Sequence, residues 1–375
     1  MSTQPHKASS AGRINAAQSE RGIPARLLLI VPAVLSLVCG VLAGLGRLGL
    51  PVPAFSYTLV AQHGPLMVGG VFGTLICLER AVAVGGRFSM VAPLASCVGA
   101  IALLAGQTQA GALFACLAAL VLTIVCFRLW QGQRVAHLAT LTLGSACWLY
   151  GNAVWFATGV PALATLPWLA FLILTIAGER LELSRLMPTP KTARQVFAIV
   201  AGLFALAAVA APTQAPLVGV FYGLCLLALA LWLQRYDIAR RTLLRPGLTR
   251  YIALCLLSGY VWLAVAGALG IAGGFALASP LRDAALHALA LGFVFSMVFG
   301  HAPIILPAVG KIRVTWHPLA YAPLALLHAG VFARTLAALL DSAPLRQCAG
   351  LANAGALLLF VACVLAGVFW KGRTS

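Results

Sequence analysis

The chain has 375 residues, of which 62% are hydrophobic and only 9% charged. A soluble protein carries roughly 25% charged residues, so this surface needs an apolar solvent and the chain belongs in a bilayer. The net charge of +18, from 25 Lys and Arg against 7 Asp and Glu, does not imply nucleic acid, because in a membrane protein basic loops serve orientation and headgroup contact.

Residues 1–26 are polar and carry Lys7, Arg13, Arg21 and Arg26, which reads as a cytoplasmic N-terminal arm. The first apolar run is too long for a signal peptide and no small-x-small cleavage pattern follows it, so it is expected to stay as a helix. Apolar runs then fall near 27–46, 61–84, 90–108, 110–129, 136–157, 164–184, 195–212, 215–234, 250–272, 284–307, 318–339 and 347–370. Each is long enough to cross about 30 Å of hydrocarbon at about 1.5 Å per residue. Barrel strands would instead alternate over about 10 residues. The expected fold is therefore all-α, a polytopic bundle of about twelve transmembrane helices over 27–370, with 371–375 as a cytoplasmic tail.

Placing successive loops on alternate sides puts 21 of the 25 Lys and Arg on one side. Only Arg47, Arg282, Arg334 and Arg346 fall on the other. That asymmetry predicts both termini in the cytoplasm and, for a bacterial protein, residence in the inner membrane among its lipids. Spans 2, 6 and 10 carry Leu78-Glu79-Arg80, Gly178-Glu179-Arg180 and Gly300-His301 at corresponding depths. Their spacing of four is what three four-helix modules would give, all in one orientation.

Ionisable groups inside spans are costly unless paired, hydrated or ligated, so each is a functional candidate. His63 opens span 2 and His287 opens span 10, both at the arginine-poor side. Two neutral imidazoles at one depth on separate helices suit axial ligation of a haem iron; the alternative is hydrogen bonding to a carbonyl or to interfacial water. At 100° per residue, His63, Met67, Gly70, Thr74 and Cys77 form one stripe, with Gly69, Gly70 and Gly73 near it. These glycines leave room either for a flat ligand or for close helix packing.

His301, His317 and His328 lie in or beside spans 10 and 11. They are candidates for a second metal position or a proton route, against ordinary hydrogen bonding. His137 borders span 5 and reads as interfacial. Glu79, Arg80, Glu179, Arg180 and Glu182 are expected to neutralise one another as a clasp between spans 2 and 6, with a carboxylate-lined entrance or propionate binding as sharper alternatives. Ten cysteines stand singly, without a CxxC pair, and read as small core residues. There is no Walker A, Rossmann or HExxH pattern and no Ser/His/Asp grouping.

The twelve spans, His63 at the start of span 2 and His287-Ala288-Leu289-Ala290-Leu291-Gly292 in span 10 together resemble the NnrS family. These are bacterial inner-membrane proteins linked to the nitric oxide response and regarded as containing haem and copper. They are distantly similar to subunit I of the haem–copper oxidases, where a low-spin haem sits between helices 2 and 10. The resemblance implies haem held by His63 and His287, with nitric oxide or another small gas, and a redox partner, as candidate partners. It departs from the oxidase pattern because spans 6 and 7 contain no His and span 10 has no HxH. An oxidase-type binuclear centre is therefore not expected, and copper has little support. The leading expectation is a haem protein of the nitrosative stress response. The alternatives are a cofactor-free transporter or channel and a membrane haem oxidoreductase with a lipid-soluble electron partner.

Overall fold

The structure is a computed structural model that describes residues 28–184, 187, 189–310 and 314–369. The N-terminal arm and the C-terminal tail lie outside the described residues. Among the described residues twelve main helical segments follow one another: α1 Ile30–Arg47, α2 Val60–Val84, α3 Val91–Leu104, α4 Thr108–Gln133, α5 Ala136–Thr158, α6 Pro161–Ser184, α7 Lys191–Thr213, α8 Pro216–Tyr236, α9 Leu248–Gly274, α10 Arg282–Pro307, α11 Pro318–Leu339 and α12 Ala343–Phe369. No strand occurs among the described residues. Ten of the twelve are long and apolar enough to cross a membrane. Of the other two, α3 has 14 residues and α5 has 23 residues and buries the polar side chains of His137, Thr140, Ser145 and Asn152 among apolar ones.

Short connections make neighbours of consecutive helices. Between α5 and α6, Gly159 takes a left-handed φ of 69° and its N–H closes on Trp155 O, and Pro161 then starts the next helix. Glycine is suited to the first conformation and proline to the first helical position. Each helix packs against the next around the bundle, and α12 returns to α1 to close the circuit.

Inside that circuit α2, α6 and α10 touch one another pairwise, as the spacing of four predicts. α6 is the most buried helix, whereas α1 and α12 are the least. Apolar residues facing outward, such as Val31, Leu206, Leu231 and Leu358, need lipid around them. The chain is thus an all-helical polytopic membrane protein with three central helices.

Candidate cofactor site

Both central histidines are built the same way. His63 precedes a π-helical stretch, Leu66–Gly73, and His287 precedes another, Ala288–Phe295. A π-helix bonds i→i+5 and is wider than an α-helix, so it turns its side chains off the 3.6-residue register. This overturns the expected stripe on α2. The α2 residues that line the cavity are Val60, Ala61, His63, Gly64, Met67, Val68 and Phe72, so of the expected stripe only His63 and Met67 reach it.

The glycines of α2 do a different job from the one expected of a ligand slot. A Cβ on Gly70 would strike Ser36, and one on Gly73 would strike Trp148. Thr74 hydrogen-bonds to Ser96, and Cys77 is buried in the core. Close packing explains Gly70 and Gly73. Room for His63 comes instead from α1, where a Cβ on Gly44 would lie 2.9 Å from His63 Cε1 and one on Gly40 would lie 2.8 Å from Met67 Sδ.

The two imidazoles face each other across the bundle, with ring centroids 6.2 Å apart and planes inclined by 26°. His63 Nδ1 is 2.7 Å from Gly40 O, and His287 Nδ1 is 2.8 Å from Asp283 O. Since a carbonyl only accepts, each Nδ1 carries the proton, which leaves each Nε2 with its lone pair. The rings belong to a cavity of about 820 Å³ between α1, α2, α6, α10, α11 and α12, within the size range of cofactor sites. Trp168 forms one wall, fixed by its indole N–H donating to Asn152 Oδ1 at 2.8 Å. Phe72 and Phe295, in contact at 5.2 Å, line it as well.

All four basic residues of the arginine-poor side, Arg47, Arg282, Arg334 and Arg346, line this same cavity. Arg334 pairs with Asp283 through Nε–Oδ2 at 2.7 Å, and Arg346 faces Asp341 at 3.7 Å. Arg282 donates to Phe275 O and Ala162 O. Arg47 has no carboxylate partner among the described residues. Asp283 and Arg334 were not in the sequence-derived site. Their signal was an Asp one helical turn before His287 and an Arg within an apolar span.

The residues present fit a haem. The two imidazoles, 6.2 Å apart between ring centroids, could hold an iron between them, and the apolar walls would suit a flat macrocycle. Arginines at the mouth suit its carboxylates. The candidate second metal position gives way, among the described residues, to the alternative of ordinary hydrogen bonding. No group of three or more His, Cys, Asp or Glu residues suited to a metal occurs among the described residues. Trp262 Nε1–H donates to His328 Nδ1 at 2.9 Å, so His328 Nε2 carries the proton that meets Ser258 Oγ at 2.9 Å. Both His328 nitrogens are thereby used by the protein. His301 Nδ1–H donates to Met297 O, and His317 Nδ1 accepts from the Leu319 N–H.

The clasp at the opposite end forms only in part. Arg80 Nη2 stands 3.6 Å from Glu179 Oε1, joining α2 to α6. Arg180 turns away from it and makes a two-point bond with Asp237, at 2.7 and 2.9 Å, to which Tyr260 O–H also donates. Arg180 points into the core and is buried, so it needs a fully compensating carboxylate. Glu182 faces His137 at 3.9 Å.

Over residues 26–369 the chain matches the family model described as a domain of unknown function, DUF8744, and it belongs to that family. No curated protein matches it. No solved structure matches it either.

Proposed function

We propose that this protein is a haem-binding membrane protein of the NnrS-like kind, with His63 and His287 as axial ligands. One observation carries the reading: two imidazoles 6.2 Å apart, each with Nδ1 anchored to a carbonyl, open into the cavity that collects all four arginines of that side. His63 and His287 would hold the haem, which would supply a one-electron couple there. Gly40 and Asp283 carbonyls hold the tautomers, Trp168, Phe72 and Phe295 shield the site from water, and Arg47 offers a guanidinium to an anionic substituent.

The NnrS resemblance adds the physiological role, a response to nitric oxide or nitrosative stress by sensing, protection or electron transfer. The 21-to-4 distribution of Lys and Arg supports the inner membrane with both termini cytoplasmic. The test is the ultraviolet–visible spectrum of the detergent-purified full chain. A low-spin haem spectrum at about one haem per chain is expected. A protein purified under haem-replete conditions with no haem absorption defeats the proposal and selects the cofactor-free transporter or channel.

A further inference from the structure

The two histidines differ in what stands behind them. His63 Nδ1–H meets the neutral carbonyl of Gly40 and no carboxylate among the described residues. His287 Nδ1–H meets the Asp283 carbonyl at 2.8 Å and, in addition, the Asp283 carboxylate, whose Oδ1 is 3.2 Å away. That carboxylate is itself gripped by Arg334 of α11, with Nε to Oδ2 at 2.7 Å and Nη2 to Oδ1 at 3.1 Å. The Arg334 side chain is 7% exposed and that of Asp283 31%, so water screens the pair only from the Asp283 side.

A carboxylate behind an imidazole N–H makes the other ring nitrogen a stronger donor, and outer partners of this kind orient and tune a metal ligand. A guanidinium bound to the same carboxylate draws off part of that effect. We infer that Asp283, restrained by Arg334, is the positioning residue that makes His287 the stronger of the two axial donors. Resting on the haem reading above, the assignment gives α11, which holds no ligand, control over the iron's reduction potential.

The experiment is a redox titration of the haem-loaded full chain in detergent, together with the energy of the near-infrared charge-transfer band of the ferric form, which follows the donor strength of the axial ligands. Asp283→Asn should raise the midpoint potential and shift that band, because the ferric state loses electron donation. Arg334→Gln should move both in the opposite direction, while Arg334→Lys, which keeps the charge, should stay near the wild type. The Arg334 variants decide the matter if Asp283→Asn does not fold. Potentials that move in the same direction, potentials that do not move, or a potential shift without any movement of the band overturn the role given to Asp283 and leave the haem reading standing. A wild-type chain without haem overturns both.

Discussion

Phe72 and Phe295 meet edge to face, 5.2 Å between ring centroids and 63° between planes, at the far ends of the two π-helical stretches that begin just after His63 and His287. The two central helices therefore share a plan of histidine, widened turn and aromatic floor, although their sequences share few residues. A wider turn costs hydrogen-bond geometry and occurs frequently at functional sites. Two of them facing one cavity give α2 and α10 a matched pair of shoulders with space between. The third central helix, α6, contributes Trp168 to that space instead of a histidine.

Replacing either His63 or His287 by Ala should convert the low-spin spectrum to high spin or release the haem, because each supplies one axial bond. Replacing His137 should leave the spectrum unchanged, since it lies beside Glu182 at the other end of the bundle. Haem stoichiometry and the visible spectrum of the three purified variants check this. An unchanged low-spin spectrum in both His63→Ala and His287→Ala would refute the ligand assignment.

The all-helical, polytopic class was legible because hydrophobic run length is set by the bilayer itself, although α3, expected over 90–108, has only 14 residues and ten of the twelve helices, not all twelve, are long and apolar enough to cross. What escaped were features that depend on local helix geometry and on partners distant in the chain. Counting 100° per residue placed Gly70, Thr74 and Cys77 beside His63, but the π-helical turns rotate Val68 and Phe72 into the cavity instead. The seat of His63 is Gly40 and Gly44, a GxxxG pair in α1 that periodicity alone could not assign to a partner. Arg180 and Glu179 are adjacent in the chain, yet successive helical residues point about 100° apart. One therefore reaches Arg80 and the other Asp237.

That divergence has an energetic consequence. The Arg180 and Asp237 side chains are 5% and 1% exposed, whereas those of Arg80 and Glu179 are 18% and 30% exposed. Asp237→Ala leaves a buried guanidinium without its anion and should cost about 3–5 kcal/mol. It also removes the acceptor of Tyr260 O–H. Glu179→Gln breaks a longer, partly solvated contact and should cost about 1 kcal/mol or less. Thermal unfolding of both variants in the same detergent should rank them in that order, and equal losses would contradict the buried-pair account.

The charge distribution makes its own forecast. If successive loops alternate sides as the Lys and Arg distribution of the sequence predicts, a reporter active only in the periplasm should be silent when fused after Ser375. A reporter active only in the cytoplasm should be active at the same place. The same two reporters inserted in the short loop that contains Asp341 and Ser342, between α11 and α12, should give the opposite pattern. Periplasmic activity at Ser375 would invert the bundle and place the histidine cavity on the cytoplasmic side.

Gly44 offers a test of the site that touches neither ligand. A Cβ added to Gly44 would stand 2.9 Å from His63 Cε1 and 3.0 Å from Nδ1. Nδ1 is the atom that donates to Gly40 O at 2.7 Å. A side chain at position 44 must therefore push the imidazole off its anchor, toward His287, or push α1 outward. Gly44→Ala should weaken haem retention, and Gly44→Val, with two further methyl groups, should abolish it. In other helices, glycine to alanine is favourable by about 1 kcal/mol through helix propensity, so Gly44→Ala should not unfold the bundle. Gly202 on α7, where a Cβ meets nothing within 4 Å, is the matched control. Gly202→Ala should hold haem like the parent protein. Full haem retention in Gly44→Val, with an unaltered spectrum, would mean that His63 is not seated against α1 as the structure has it.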